Sequence, residues 1–136
     1  MPLKNQTAKK LLVVNSRFLP LIGGAETYTM ELMRHFSEMG WEVHLVTQER
    51  GFGQTTWEGC YIHYIDGFVN NNQSIYKCAP MLRGVLDTVK PDLVHVHNIM
   101  PFFAYGSVVE AGEFPCVLTL HDTPVIPERV FGFFGD

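Results

Sequence analysis

The apolar positions of this chain change rhythm repeatedly. An unbroken run, Leu11-Leu12-Val13-Val14, passes into Asn15-Ser16 and then into the loop Arg17-Phe18-Leu19-Pro20-Leu21-Ile22-Gly23-Gly24. After the glycines, Ala25, Tyr28, Leu32, Phe36 and Met39 recur at intervals of three and four, so they share one face of a helix, and Gly40 stands where a left-handed residue stops it. The stretch reads as strand, glycine turn, helix. Residues 42–47 supply a second strand and complete a βαβ unit. The segment 51–57 carries G-x-G after a strand, but no helical spacing follows and the third glycine of a dinucleotide fingerprint is missing, so it predicts a loop.

The aromatic and β-branched segment 60–65 predicts a third strand, closed by Asp66-Gly67, and Asn70-Asn71-Asn72-Gln73 a loop. Leu82, Val85, Leu86 and Val89 repeat at helical spacing, with Pro80 expected in the first turn and Lys90-Pro91-Asp92 at the end. Residues 93–97 form a fourth strand. Phe103, Ala104, Ser107, Val108 and Ala111 predict a helix that stops at Gly112, and residues 116–120 a fifth strand leading into His121-Asp122-Thr123-Pro124.

Strands alternating with helices define the α/β class. The expectation is a Rossmann-like, doubly wound parallel sheet in strand order 3-2-1-4-5, helices on both faces, as a single domain over residues 1–136. In that order the winding reverses between strands one and four, and a crevice opens at their carboxyl ends. Three polar features fall on that rim: Gly23-Gly24 after strand one, His97-Asn98 after strand four and His121-Asp122 after strand five. A helix N-terminus presents backbone N–H groups and partial positive charge, and glycine lets an anion approach them closely, so Gly23-Gly24 reads as a phosphate seat. It reads equally as a tight connection that binds nothing. His121-Asp122 likewise reads as a site, or as a turn in which Asp122 satisfies backbone N–H groups before Pro124.

Composition narrows the classes. With 46% apolar and 18% charged residues the chain is globular, and a net charge of -4, from 10 basic and 14 acidic residues, argues against a nucleic-acid surface. No apolar run matches a membrane span, and the polar start lacks the apolar core of a signal peptide, which points to the cytoplasm. Cys60, Cys78 and Cys116 suit reduced packing thiols better than a disulfide framework. His95 and His97 share a strand face, and a zinc site with His44, His63 and His121 is conceivable. The helical H-x-x-x-H spacing and a nearby cysteine are both missing, so no metal is expected and His95 is read as a hydrogen-bonded interior histidine. Tyr105-Gly106-Ser107-Val108-Val109 is not a nucleophile elbow, and the Walker lysine motif is missing.

The segment Phe18-Leu19-Pro20-Leu21-Ile22-Gly23-Gly24-Ala25-Glu26 resembles the amino-terminal signature of retaining glycosyltransferases of the GT-B fold, in particular family four. Lys90-Pro91-Asp92-Leu93-Val94-His95-Val96-His97-Asn98 and Cys116-Val117-Leu118-Thr119-Leu120-His121-Asp122 resemble two further segments of that family, in the same order and spacing. The resemblance covers nearly the whole chain and implies the first, acceptor-side domain of a two-domain enzyme whose active site lies between the domains. It implies that Gly23 and Gly24 approach the diphosphate of a nucleotide-sugar donor. It implies that His121 contacts the transferred sugar near the reacting centre, and that His97 and Asn98 line the acceptor side, with Asp122 beside them. It also implies transfer of a hexose-type sugar with retention to a glycan, lipid or small-molecule acceptor, without metal or other cofactor.

The family's carboxyl-terminal domain, with its spaced pair of glutamates, is not in this sequence. The exposed aromatic ending Phe131-Gly132-Phe133-Phe134-Gly135-Asp136 suggests an artificial boundary, and a fragment that folds without turning over substrate is expected. Peripheral membrane contact is left open. The alternative reading is a non-catalytic Rossmann-type module that holds a nucleotide or serves assembly with another chain.

Overall fold

Residues 7–20, 23–48, 51–65, 73–97 and 111–119 are described by the structure, a computed structural model. In chain order these residues form β1 (Lys10–Val14), α1 (Gly24–Glu38), β2 (Glu42–Thr47), β3 (Thr56–Trp57), β4 (Cys60–Tyr64), α2 (Gln73–Val89), β5 (Leu93–His97) and β6 (Cys116–Thr119). One sheet takes all six strands, in the order β3-β4-β2-β1-β5-β6. Every pairing is parallel except β3 with β4. The five parallel strands therefore follow the predicted 3-2-1-4-5 order.

Strand β1 is buried on both faces because it is central, which is why its sequence is an apolar run rather than an alternation. Its side chains divide by parity. Leu12 and Val14 join Val46, Val94, Val96 and, from α2, Leu82 and Leu86; Leu11 and Val13 join Val43, Leu45, Ile62 and, from α1, Met33. Helices thus cover both faces. No helix among the described residues is long and apolar enough to cross a membrane.

Helix α1 ends as the sequence predicts. Gly40 takes φ +90, its N–H donates to the Ser37 carbonyl, and the Trp41 N–H donates to Phe36. This is the Schellman pattern, accompanied by an edge-to-face contact of the Phe36 and Trp41 rings at 5.1 Å. Its buried face overlaps the predicted one, since Leu32 and Phe36 pack against the core, but is rotated from it. Tyr28 and Met39 are 45% and 55% exposed, whereas Glu26, Thr29 and Met33 are buried. Two of those three are polar, so a hydrophobic count rotates the helix away from its true orientation.

Two further expectations are corrected. The predicted loop 51–57 contains β3, which forms an antiparallel hairpin with β4, Trp57 opposite Cys60. Glu58 and Gly59 both adopt positive φ, as a type I′ turn requires, but the turn lacks the Asn-Gly signal that announces one. Pro80 lies inside α2, because the helix starts at Gln73 within the predicted polar loop. The helix over 103–111 lies outside the described residues save for Ala111, which is buried against the α2 cluster.

At the amino ends of the strands, Asp92 ties β5 to β1 in both directions. Its N–H donates to the Lys10 carbonyl and its carboxylate accepts from the Lys10 N–H, at 2.8 and 2.7 Å.

Candidate functional site

The carboxyl end of β1 is where the sheet changes direction, with β2 on one side and β5 on the other. Open α/β sheets bind ligands at such a point. Asn15, fully buried just beyond β1, organises it. Its backbone N–H donates to Val46, its side-chain amide donates to Thr29 Oγ1 at 2.7 Å, and its Oδ1 accepts from the Arg17 N–H at 3.1 Å. One side chain thus fixes the loop that leaves β1 and anchors the second turn of α1. On the other side, Thr47 Oγ1 donates to the Ser16 carbonyl at 3.2 Å. The Ser16 hydroxyl is buried and has no hydrogen-bond partner among the described residues.

Gly23 is the N-cap of α1, with extended backbone, and no side chain caps the helix there. The two glycines differ. A Cβ on Gly24 would meet nothing within 4 Å, so its backbone faces open space. A Cβ on Gly23 would stand 2.8 Å from Glu26 Oε2. Glu26 belongs to the first turn of α1 and is only 5% exposed.

Across the switch point, His97 ends β5 and is fully buried. Its ring stacks on His95 at 4.5 Å, and Tyr28, one turn along α1 from Gly24, sets its ring edge-to-face against His97 at 5.7 Å. His95 shares a hydrogen bond with Thr119 Oγ1 of β6, the interior role its sequence context predicts. Gly23, Gly24 and His97 therefore reach one rim. Asn98, His121 and Asp122 lie outside the described residues.

Among the described residues the imaginable zinc set does not converge. His95 and His97 alternate onto the α1 face, whereas His44, between the α1-facing Val43 and Leu45, points to the α2 face with His63. There His44 Nε2 donates to Glu42 at 2.7 Å, and its Nδ1 meets His63 Nε2 at 2.8 Å. His44 stacks between His63 and Tyr61. Burial, then the neighbouring His44, push the His63 pKa down. Burial raises the Cys60 and Cys116 thiols, consistent with packing rather than reactive roles.

Asn15, Glu26, Tyr28 and Thr29 are site residues that hydrophobic periodicity passes over. The available signal was a polar pair, Asn15-Ser16, closing an apolar run, with two polar residues three apart on the following helix.

The fold and rim define a Rossmann-like domain of the kind that binds ligands at a strand-order reversal. The sequence matches the Glycosyltransferase Family 4 profile over residues 22–134, so the chain belongs to that family. Among solved structures it is similar to a glycosyltransferase from Rickettsia africae ESF-5, with TM-score 0.70 and 17% identity over 95% of this chain. The match takes in 34% of that protein, so the chain spans about a third of its length. No curated protein matches the sequence.

Proposed function

We propose that this chain is the acceptor-side domain of a nucleotide-sugar-dependent retaining glycosyltransferase that moves a hexose-type sugar to a glycan, lipid or small-molecule acceptor. The observation that carries the reading is the start of α1, which no side chain caps and where Gly24 faces open space beside the β1–β5 reversal. Unpaired N–H groups and the positive end of the helix dipole suit a diphosphate there. Gly23 completes the turn, and His97 and Asn98 line the acceptor side. His121 contacts the transferred sugar, with Asp122 beside it, and stabilises positive charge developing at the reacting carbon. No metal is required when protein donors hold the leaving diphosphate. The enzyme works in the cytoplasm, its second domain completes the donor site, and peripheral contact with a membrane serves a lipid acceptor.

The test is transfer by the complete protein from a panel of nucleotide sugars, with product anomers read by NMR and chelator present. Turnover with retention is expected, and His121→Ala lowers the rate by about tenfold to a thousandfold, the loss of one preorganised contact. The 136-residue chain alone is expected to show no turnover. Robust turnover by it refutes the two-domain reading.

A further inference from the structure

We infer that the β3–β4 hairpin is a positioning arm of the site: Trp57, together with Phe52, holds Phe18 and through it keeps the Gly23-Gly24 turn in the shape that receives the donor's diphosphate. The inference rests on the transferase reading above and names a positioning residue that acts on the donor seat through another side chain.

The turn does not hold its own shape. Two successive glycines have no Cβ to restrict them, and no side chain caps α1 at Gly23. A seat of that kind is ordered when a ligand arrives, at a cost to affinity, unless neighbouring structure orders it beforehand. Phe18, in the loop that leaves β1 for the glycines, is fully buried and anchors that loop. Two rings enclose it from the hairpin side. Phe52 meets it edge-to-face at 5.6 Å and 87°, and Trp57 does so at 5.8 Å and 90°. Edge-to-face pairs constrain orientation as well as distance, so two of them on one ring leave it little freedom.

The hairpin is itself fixed. The Ile62 N–H donates to the Thr55 carbonyl at 2.8 Å and Tyr64 Oη donates to the Gln54 carbonyl at 2.5 Å, which ties the segment between Phe52 and Trp57 to β4 and the residues beside it. From α1, the Arg34 guanidinium lies over the Trp57 ring at 5.4 Å, and its Nε donates to Glu58 at 2.8 Å. The hairpin therefore holds the chain on both sides of the glycines, at Phe18 before them and at Arg34 after them. Burial alone would ask only for an apolar side chain in place of Trp57. The edge-to-face contact and the cation above the ring ask for an aromatic one.

The test uses the complete protein. Hydrogen exchange at residue resolution follows the Thr27 N–H, which donates to the Gly23 carbonyl, with the Asn15 N–H, which donates to Val46, as internal reference. Trp57→Leu, which keeps an apolar side chain and removes the ring, is expected to speed Thr27 exchange about tenfold and to leave Asn15 within about twofold. With donor and acceptor varied separately, the donor KM rises about fivefold, while kcat and the acceptor KM stay within about twofold. Trp57→Phe recovers most of both effects. Phe52→Leu reproduces them in weaker form and carries the test if Trp57→Leu does not fold. A residue that merely stabilises the fold would speed both amides alike and leave the donor KM alone; either result overturns the inference, as does unchanged Thr27 exchange. Failure of the transferase reading looks different: wild type turns over no nucleotide sugar, while the selective response of Thr27 to Trp57→Leu still upholds the hold on the turn.

Discussion

Asn15 and Thr29 are joined by a 2.7 Å hydrogen bond between buried side chains, and it links the end of the central strand to the helix that borders the candidate site. The same Asn15 side chain accepts from the Arg17 backbone, so it sets both the strand-to-loop turn and the seating of α1.

Asn15→Ala is expected to destabilise the fold by about 2–3 kcal/mol, since it leaves the Arg17 N–H and the Thr29 hydroxyl without their acceptor and donor. Thr29→Val costs less alone. Urea unfolding of both single variants and the double variant measures the coupling. Additive losses would show that the pair is not an energetic unit.

Gly23→Ala places a methyl group at 2.8 Å from Glu26 Oε2, and the buried carboxylate has to move. The displaced atom is the far end of a flexible side chain, so the loss stays below about 1 kcal/mol and shrinks further when Glu26 is also replaced by Ala. Gly24→Ala, which meets open space, leaves unfolding unchanged or improves it. Equal effects of the two alanines would contradict the described asymmetry.

His63 has its pKa lowered below the ordinary 6.5, first by burial and second by His44. The folded state therefore binds this proton less readily than the unfolded chain. Stability is complete above pH 6.5 and is lost as the pH falls below that value toward the lowered folded pKa. The groups facing the ring pair are Glu42 beside His44 and Tyr61 stacked on it. Denaturation midpoints between about pH 8 and pH 5, compared with His63→Gln, measure the effect, and the variant is expected to show the flatter profile. Identical slopes would remove His63 from the account.

Pro80 occupies the interior of α2 and cannot donate the hydrogen bond its position offers. Pro80→Ala is expected to stabilise the chain by about 1–2 kcal/mol, with the gain reduced by the greater freedom of the unfolded state. A drop in melting temperature would indicate that the proline serves packing that alanine cannot replace.

Much of the architecture was legible because local and global signals agree. The run through Leu11–Val14 could only be a strand covered twice, and Gly40 could only terminate the helix before it. Legibility fails where polarity and burial part company. Glu26 and Thr29 are buried on α1 and Tyr28 is exposed, the reverse of what hydrophobicity assigns. Strand β3 is two residues long, too short for any period to register. On the rim, Gly23, Gly24 and His97 were found through strand order, whereas Asn15 was not, because its importance lies in three hydrogen bonds and not in its spacing.

The reciprocal bond between Asp92 and Lys10 has an effect at the far end of the sheet. It pins the first step of β5 against β1, and every later residue of that strand inherits its side from that anchoring. A slip by a single position would turn Val96 toward Tyr28 and send the imidazole of His97 into the aliphatic layer under α2. The handedness of the rim is thus decided at the amino end of the strands, by an aspartate set away from the glycine turn.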